Sequence, residues 1–248
     1  VSRRAQDRFA LNSHQKANNA KAKGYFTKEI VSIAGVNEDD GVRRGTSFET
    51  LSKLKPAFKR NGSTTAGNAS QLSDGASAVF VANGKSVKEL GLPVLAIWRK
   101  YTVVGVPPDI MGIGPAFAIN DVLFKARLTV DDIDVFEINE AFASQVVFCM
   151  RFLGLPEQKV NPCGGAIALG HPLGCSGNRL VVTCAHYLQL ANLRYGCVSL
   201  CIGTGMGAAV IIENPQFDAS KKSYKYENKS NLEVKNIIPK GWQPKSKL

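Results

Sequence analysis

The chain has 248 residues, of which 44% are hydrophobic and 21% are charged, so it is long enough to bury a sizeable core. No apolar run approaches the length of a membrane-spanning helix, and we expect no membrane span. The net charge of +11 is not accompanied by interleaved aromatic residues or a nucleic-acid-binding module, which argues against a nucleic-acid partner. Six cysteines without paired CxxC spacing and three histidines predict neither a zinc site nor a disulfide framework.

The first part of the chain shows few regular signals. Apolar residues at loose helical spacing predict a helix over residues 3–23, on which we expect His14 to face solvent, and a short helix over residues 48–54. The run ASAVFVA at residues 76–82 follows the turn residues Ser73-Asp74-Gly75 and predicts a buried strand.

From Pro93 onwards, strand and helix signals alternate. This alternation favours a layered α/β domain with a mixed sheet. In chain order we expect a strand at 94–104, a helix at 115–126, a strand at 134–138, a helix at 141–152, a helix at 177–190, and strands at 196–201 and 207–213.

Two glycine-rich segments each contain one reactive side chain. His171 lies in NPCGGAIALGHPLGCSG, residues 161–177, and Cys201 begins CIGTGMG, residues 201–207. Glycines allow a backbone to approach a substrate closely, an imidazole can take a proton from a thiol, and a thiolate can move a proton. The pattern predicts acid–base chemistry on sulfur and carbon. The plainer alternative is a turn and a helix start with His171 as a cap.

These residues resemble a known family. Asn139-Glu140-Ala141-Phe142, GGAIALGHPLGCSG and CIGTGMG are similar to the three C-terminal signatures of the thiolases, the enzymes that cleave or form 3-ketoacyl-CoA. VPPDIMGIGP at residues 106–115 is similar to the peroxisomal 3-ketoacyl-CoA type. The resemblance runs from about Val1 to Glu213. It implies a thiolase-like α/β fold, with a mixed sheet, helices on both faces, a complete C-terminal half and a largely absent N-terminal half.

The resemblance also implies catalytic roles. His171 would activate the nucleophilic cysteine, and Asn139 would hold a water that forms an oxyanion hole with His171. Cys201 would remove or return the proton at the α-carbon, and the backbone N–H of Gly203 would help build a second oxyanion hole. Glu140 is expected to orient its loop by hydrogen bonds. The acyl-carrying cysteine of the family lies in the N-terminal half, whereas this chain has no cysteine before Cys149. We therefore expect the C-terminal part of a thiolase, inactive by itself.

Two segments resemble the parts of the family that bind CoA. Arg43-Arg44-Gly45, ahead of LKPAF at residues 54–58, is similar to the loop that covers the CoA adenine, so Arg43 and Phe58 are candidate contacts. A solvated basic face is the alternative for Arg43. In TAGNAS at residues 65–70, Ala66 and Ser70 are candidates, with Ser70 on the pantetheine chain or, alternatively, only a turn residue.

Met111 and Phe142 would line the apolar acyl channel by resemblance, although core packing explains them equally well. The resemblance divides the chain at the following residues: 1–64, remainder of the CoA-covering loop domain; 65–92, last strand of the N-terminal domain and a linker; 93–213, C-terminal domain; 214–248, basic tail. The tail composition is typical of a flexible segment. Its ending, Ser246-Lys247-Leu248, either forms the peroxisomal address read by an import receptor or is accidental.

The resemblance implies an acyltransferase of peroxisomal β-oxidation. Its reaction would be the thiolytic cleavage of 3-ketoacyl-CoA by CoA to acetyl-CoA and a shortened acyl-CoA. We expect a homodimer without a resident cofactor or metal, since CoA and acyl-CoA are substrates. The alternative is a truncated, non-catalytic thiolase-like protein that binds CoA or a thiolase partner. Condensing enzymes of the ketoacyl synthase type share the fold but use a paired-histidine or His/Asn site rather than His171 with Cys201.

Overall fold

The computed structural model of the protein describes residues 1–221, and the predicted address at residues 246–248 lies outside them. The helices are α1 (Arg3–Ala22), α2 (Phe48–Ser52), α3 (Gly84–Leu90), α4 (Gly114–Ala126), α5 (Ala143–Leu153), α6 (Ala166–Leu169) and α7 (Leu173–Leu190). The strands are β1 (Ile97–Gly105), β2 (Val135–Ile138), β3 (Tyr195–Ile202) and β4 (Met206–Glu213). Short 3-10 segments lie at Pro108–Ile113, Glu157–Lys159 and Ala219–Lys221. No helix within residues 1–221 is both long and apolar enough to cross a membrane.

The four strands form one sheet in the order β1-β4-β3-β2. β4 is antiparallel to both β1 and β3, whereas β2 runs parallel to β3. The prediction of a mixed sheet is therefore confirmed. Every residue of β2 is buried, as is typical of a parallel strand covered on both faces.

Helices cover both faces of this sheet, and the alternation along β4 shows why. Ala209 and Ile211 belong to the core cluster that contains α4 and α5, whereas Val210 and Ile212 belong to the cluster that contains α7. Successive side chains of a strand point to opposite faces, so one apolar strand can supply both cores. The predicted layered α/β architecture is confirmed.

Helix α1 packs against α5 and α6, and its buried face combines apolar side chains with polar ones. Its start is capped by the Ser2 hydroxyl, which accepts the N–H of Ala5 at 3.3 Å. The prediction that His14 faces solvent was wrong, because its side chain is buried and its Nδ1 accepts the backbone N–H of Arg43 at 3.3 Å. The segment containing Arg43 folds over α1 and covers this histidine. Burial and the nearby Arg43 charge lower the pKa of His14.

The predicted strand at residues 76–82 was also wrong. Residues 70–83 contain no regular secondary structure, and Phe80 and Val81 are 83% and 78% exposed. A strand requires a neighbour for its backbone hydrogen bonds, and none of the four described strands pairs with this segment. The apolar pattern alone could not supply that neighbour.

The closest backbone approach in the sheet lies between α4 and β4. A Cβ placed on Gly207 would stand 2.2 Å from the backbone oxygen of Gly114, and a Cβ on Gly114 would stand 2.6 Å from the oxygen of Met206. Both obstacles are backbone atoms, so neither can rotate away. Glycine at both positions allows the start of α4 to lie directly on the sheet.

We expect Gly207→Ala to lower the free energy of unfolding by about 1–3 kcal/mol, because the added methyl group forces the helix away from the strand. Gly105→Ala is the matched control, since Gly105 also lies in a strand and nothing stands within 4 Å of its added Cβ. Urea unfolding of the full chain measures both. Equal losses in the two variants would contradict this account of the helix–strand contact.

Candidate active site

The site lies at the carboxyl edge of the parallel pair β2 and β3. Asn139 directly follows β2, and Cys201 is the penultimate residue of β3. The backbone N–H of Asn139 donates to the oxygen of Ser199 at 2.9 Å, which continues the pairing past the end of β2. Because parallel strands end at the same edge, this topology brings the Asn139 and Cys201 segments together.

The loop between α6 and α7 places His171 at this edge. Gly170 has φ 96°, and a Cβ at this position would stand 2.4 Å from Ser73 Oγ, so the turn requires glycine. Helix α7 then begins at Leu173, four residues before the predicted start at Gly177, with Pro172 as its N-cap. The Pro172 oxygen accepts the N–H groups of Cys175 and Ser176, each at 2.9 Å. His171 therefore immediately precedes a helix N-terminus, as the sequence indicated.

The contacts of His171 define its tautomer. Nδ1 lies 2.5 Å from Ser176 Oγ, whose hydroxyl hydrogen is donated to the Pro172 oxygen at 2.9 Å. Nδ1–H is therefore the donor to Ser176, and Nε2, which lies 3.2 Å from Asn139 Nδ2, is the acceptor. Burial and the Arg179 charge lower the pKa of His171. The imidazole is thus held neutral, with a basic nitrogen facing Asn139.

Cys201 differs from the other cysteines in its access to solvent. It is half-buried, whereas Cys149, Cys163, Cys175, Cys184 and Cys197 are buried, and all six are free thiols. Burial raises the pKa of Cys149 and of Cys197 to about 12. Burial also raises the pKa of Cys201, but a hydrogen bond from Gln145 Nε2, 3.3 Å from Sγ, opposes that rise. Among the cysteines of residues 1–221, Cys201 is therefore the thiol that solvent or a ligand can reach.

Gly203 lies in the turn between β3 and β4. This turn contains Thr204 with φ 72° and Gly205 with φ 104°. Gly203 is exposed, and nothing stands within 4 Å of where its Cβ would be. The space beside this backbone is open to a ligand.

Glu140 orients the surrounding loops, as predicted. Its carboxylate is buried and accepts hydrogen bonds from Ser13 Oγ at 2.6 Å, Asn161 Nδ2 at 2.7 Å and the N–H of Ile167 at 3.2 Å. Burial raises the pKa of Glu140, and these three hydrogen bonds oppose the rise. Both of its oxygens therefore accept hydrogen bonds that join the surrounding segments.

The candidate CoA contacts fall into two places. The N–H of Ser70 donates to the oxygen of Ala141 at 3.0 Å, which places TAGNAS beside the Asn139 loop. The rings of Phe58 and Phe142 make an edge contact at 6.0 Å, and Phe58 is 76% exposed. Both segments therefore flank the site.

The remaining candidates lie less directly on this edge. Ala66 is exposed in the turn before Ser70, and Met111 is half-buried in the 3-10 segment Pro108–Ile113, which contacts α5. The exposed Arg43 lies over α1. Within residues 1–221, no cluster of three or more His, Cys, Asp or Glu side chains could hold a metal ion.

Two residues of the site were missed from the sequence. Gln145 contacts Cys201, and Ser176 contacts His171. Their spacing contained a usable signal, since Ser176 follows His171 by five residues and Gln145 follows Asn139 by six. Each lies near the start of its helix, Gln145 in α5 and Ser176 in α7.

The chain is similar in sequence and fold to known proteins. Residues 1–85 match the family "Thiolase, N-terminal domain" and residues 92–214 match "Thiolase, C-terminal domain". The chain is 58% identical over 229 residues to rat peroxisomal 3-ketoacyl-CoA thiolase B, with 87% of this chain and 54% of the relative covered. The human peroxisomal 3-ketoacyl-CoA thiolase is 56% identical, with 87% and 54% covered. The chain spans about half the length of the curated relatives it matches.

Solved structures show the same similarity. Human mitochondrial 3-ketoacyl-CoA thiolase in complex with CoA matches with a TM-score of 0.85 and 45% identity, covering 86% of this chain and 55% of that one. The dimeric peroxisomal thiolase of Saccharomyces cerevisiae matches with a TM-score of 0.80 and 49% identity, covering 86% and 55%. The chain belongs to the thiolase family.

We expect the His171 imidazole to titrate below its ordinary pKa of 6.5, because burial and Arg179 both disfavour the cation. Below pH 6.5 the unfolded histidine binds a proton that the folded histidine does not. The free energy of unfolding therefore falls as pH falls through 6.5. An NMR titration of the ring in the full chain measures the midpoint, and His171→Asn assigns the signal. A midpoint above 6.5 would contradict the site geometry.

Proposed function

We propose that the chain belongs to a peroxisomal 3-ketoacyl-CoA thiolase and supplies its acid–base side chains. The reaction is the thiolytic cleavage of 3-ketoacyl-CoA by CoA, which gives acetyl-CoA and a shortened acyl-CoA in fatty-acid β-oxidation. CoA and acyl-CoA are substrates of this acyltransferase, and no resident cofactor takes part. The names of the rat and human relatives support both the reaction and the peroxisomal location.

One observation carries this proposal: a continuous chain of contacts joins the three motifs. Asn139 Nδ2 lies 3.2 Å from His171 Nε2, Gln145 Nε2 lies 3.5 Å from the backbone oxygen of Asn139, and the same Nε2 lies 3.3 Å from Cys201 Sγ. Thiolysis requires a base for a thiol and a second group that moves a proton at the α-carbon. A neutral imidazole and a half-buried thiol at one edge of the sheet match these two requirements.

His171 takes the proton of a nucleophilic thiol through Nε2, whose lone pair is available while Nδ1–H is donated to Ser176. Asn139 holds the water that, with His171, stabilises the thioester oxygen. Cys201 returns a proton to the α-carbon of the departing acetyl unit. The Gly203 N–H helps build a second oxyanion hole. The acyl-carrying cysteine belongs to the part of the enzyme that precedes these motifs.

CoA recognition rests on the segments that flank the site. Ser70 and Ala66 lie beside the Asn139 loop, and the exposed Phe58 contacts Phe142. Met111 and Phe142 line the acyl channel in this proposal, and Arg43 contacts the nucleotide. The CoA complex of the human mitochondrial relative supports a CoA site in this fold.

The proposed assembly is a homodimer, which the dimeric yeast relative supports. We further propose that Ser246-Lys247-Leu248 binds the peroxisomal import receptor, because Ser-Lys-Leu has the composition of the peroxisomal address.

A non-catalytic thiolase-like protein is the second candidate. The observation that favours it is the burial of every cysteine other than Cys201 within residues 1–221, which leaves no second accessible thiol there to carry an acyl group. Such a protein would keep CoA binding and lack turnover. Isothermal titration with CoA, run beside the turnover assay, separates the two functions.

The assay measures thiolysis of a 3-ketoacyl-CoA by CoA. It is run on the native protein isolated from its source cells and on substituted variants of that protein. We expect His171→Ala and Cys201→Ala to lower kcat about 100- to 10,000-fold, as loss of a general acid or base typically does. His186→Ala and Cys197→Ala are matched controls, because they lie in α7 and β3 and are outside the chain of contacts. Turnover that survives both site substitutions would overturn the proposal, and CoA binding without any turnover would favour the second candidate.

A further inference from the structure

The side chain that contacts Cys201 is Gln145. It lies in the first turn of α5 and is 5% exposed. Its amide nitrogen Nε2 lies 3.3 Å from Cys201 Sγ and 3.5 Å from the backbone oxygen of Asn139. One amide therefore contacts both the thiol and the segment that contains the partner of His171.

The orientation of this amide is restricted. A primary amide nitrogen carries two hydrogens, so Nε2 can donate to Sγ and to the Asn139 oxygen together. If the amide turned over, its oxygen Oε1 would face the Asn139 carbonyl oxygen, and two acceptors would oppose each other. The Asn139 oxygen thus keeps the donor side of Gln145 toward the sulfur.

Packing further restricts the side chain. A Cβ on Gly112 would stand 3.4 Å from Gln145 Cγ and 3.5 Å from its Cβ, so the 3-10 segment Pro108–Ile113 lies directly against the aliphatic part of Gln145. The donor is thereby held in place before any substrate binds.

A fixed N–H donor acts differently on the two forms of a thiol. It stabilises a thiolate more strongly than a neutral S–H, because hydrogen bonds to charged acceptors are stronger. Burial acts in the opposite direction on Cys201, since it disfavours the charged form. The donor offsets part of that penalty.

We propose that Gln145 is a positioning residue, which holds Cys201 Sγ at the carboxyl edge of the sheet and supports its thiolate form. The link to turnover rests on the proposed thiolase function, whereas the link to thiol reactivity does not. Gln145 also links Cys201 to the backbone of Asn139, whose side chain contacts His171, so the two proton-transfer groups His171 and Cys201 keep a fixed relation. It touches neither a substrate nor a reacting carbon in this role.

The test is the pH dependence of Cys201 alkylation by iodoacetamide in the full chain, followed by mass spectrometry of the peptide that contains Cys201. In Gln145→Met, which keeps similar bulk but has no donor, we expect the midpoint of the alkylation rate to rise by about one pH unit. At a fixed pH below the midpoint, the rate then falls roughly tenfold.

Gln189→Met is the matched control. Gln189 lies near the C-terminal end of α7 and donates to the backbone oxygens of Val94 and Leu95, not to Cys201. Its midpoint should equal that of the unchanged protein. An unshifted midpoint in a folded Gln145→Met variant would overturn the proposal, since a purely packing role changes thermal unfolding but not the titration of the thiol.

Gln145→Glu serves as the second variant if the methionine variant does not fold. It keeps the shape of the side chain, and its carboxylate opposes a thiolate, so the midpoint should rise at least as far. An unchanged midpoint in this variant also contradicts the proposal. Alkylation requires no turnover, so a native protein that lacks thiolysis but shows the shifted midpoint would contradict only the proposed function.

Discussion

The arrangement of the site depends on the buried carboxylate of Glu140. A carboxylate that has left water must be fully hydrogen-bonded, and three different segments satisfy this one. They are α1 through Ser13, the loop before α6 through Asn161, and α6 through Ile167. None of these segments can move alone without leaving an acceptor unpaired. Since Asn139 precedes Glu140 and His171 follows α6, the same hydrogen bonds fix both residues of the imidazole–amide pair.

The same carboxylate explains sequence features that look unrelated. A Cβ on Gly165 would stand 2.3 Å from Glu140 Cδ, so the glycine is required by the buried acid. Asn161, with φ 45°, bonds both the N–H and the oxygen of Ile138, at 2.8 and 2.9 Å. Its side chain thereby extends the sheet past β2. Gly165 and Asn161 of the His171 segment are thus explained by their contacts with the buried Glu140 carboxylate.

The sequence predicted the elements whose signal is local and missed those that depend on a distant neighbour. The alternating unit after Pro93 and the hydrogen-bonding role of Glu140 follow from short patterns, and both are confirmed. The prediction of a strand at residues 76–82 was wrong, because strand formation needs a second strand, which the apolar pattern cannot specify. The prediction that His14 faces solvent was wrong, because the segment that buries it comes 29 residues later in the chain. Gln145 was missed because its partner Cys201 is 56 residues away and is adjacent only through the parallel pairing.

The sequence separation of these contacts has a consequence for folding. Asn139 meets His171 across 32 residues, whereas Ser13 meets Glu140 across 127 and the N–H of Gly165 across 152. Bringing distant segments together costs more chain entropy, and contacts of high sequence separation slow folding. The imidazole–amide pair can therefore form within the β2–β3 unit, while the enclosure by α1 has the highest closure cost. Formation of the imidazole–amide pair and its enclosure by α1 are therefore separable steps in the folding of this chain.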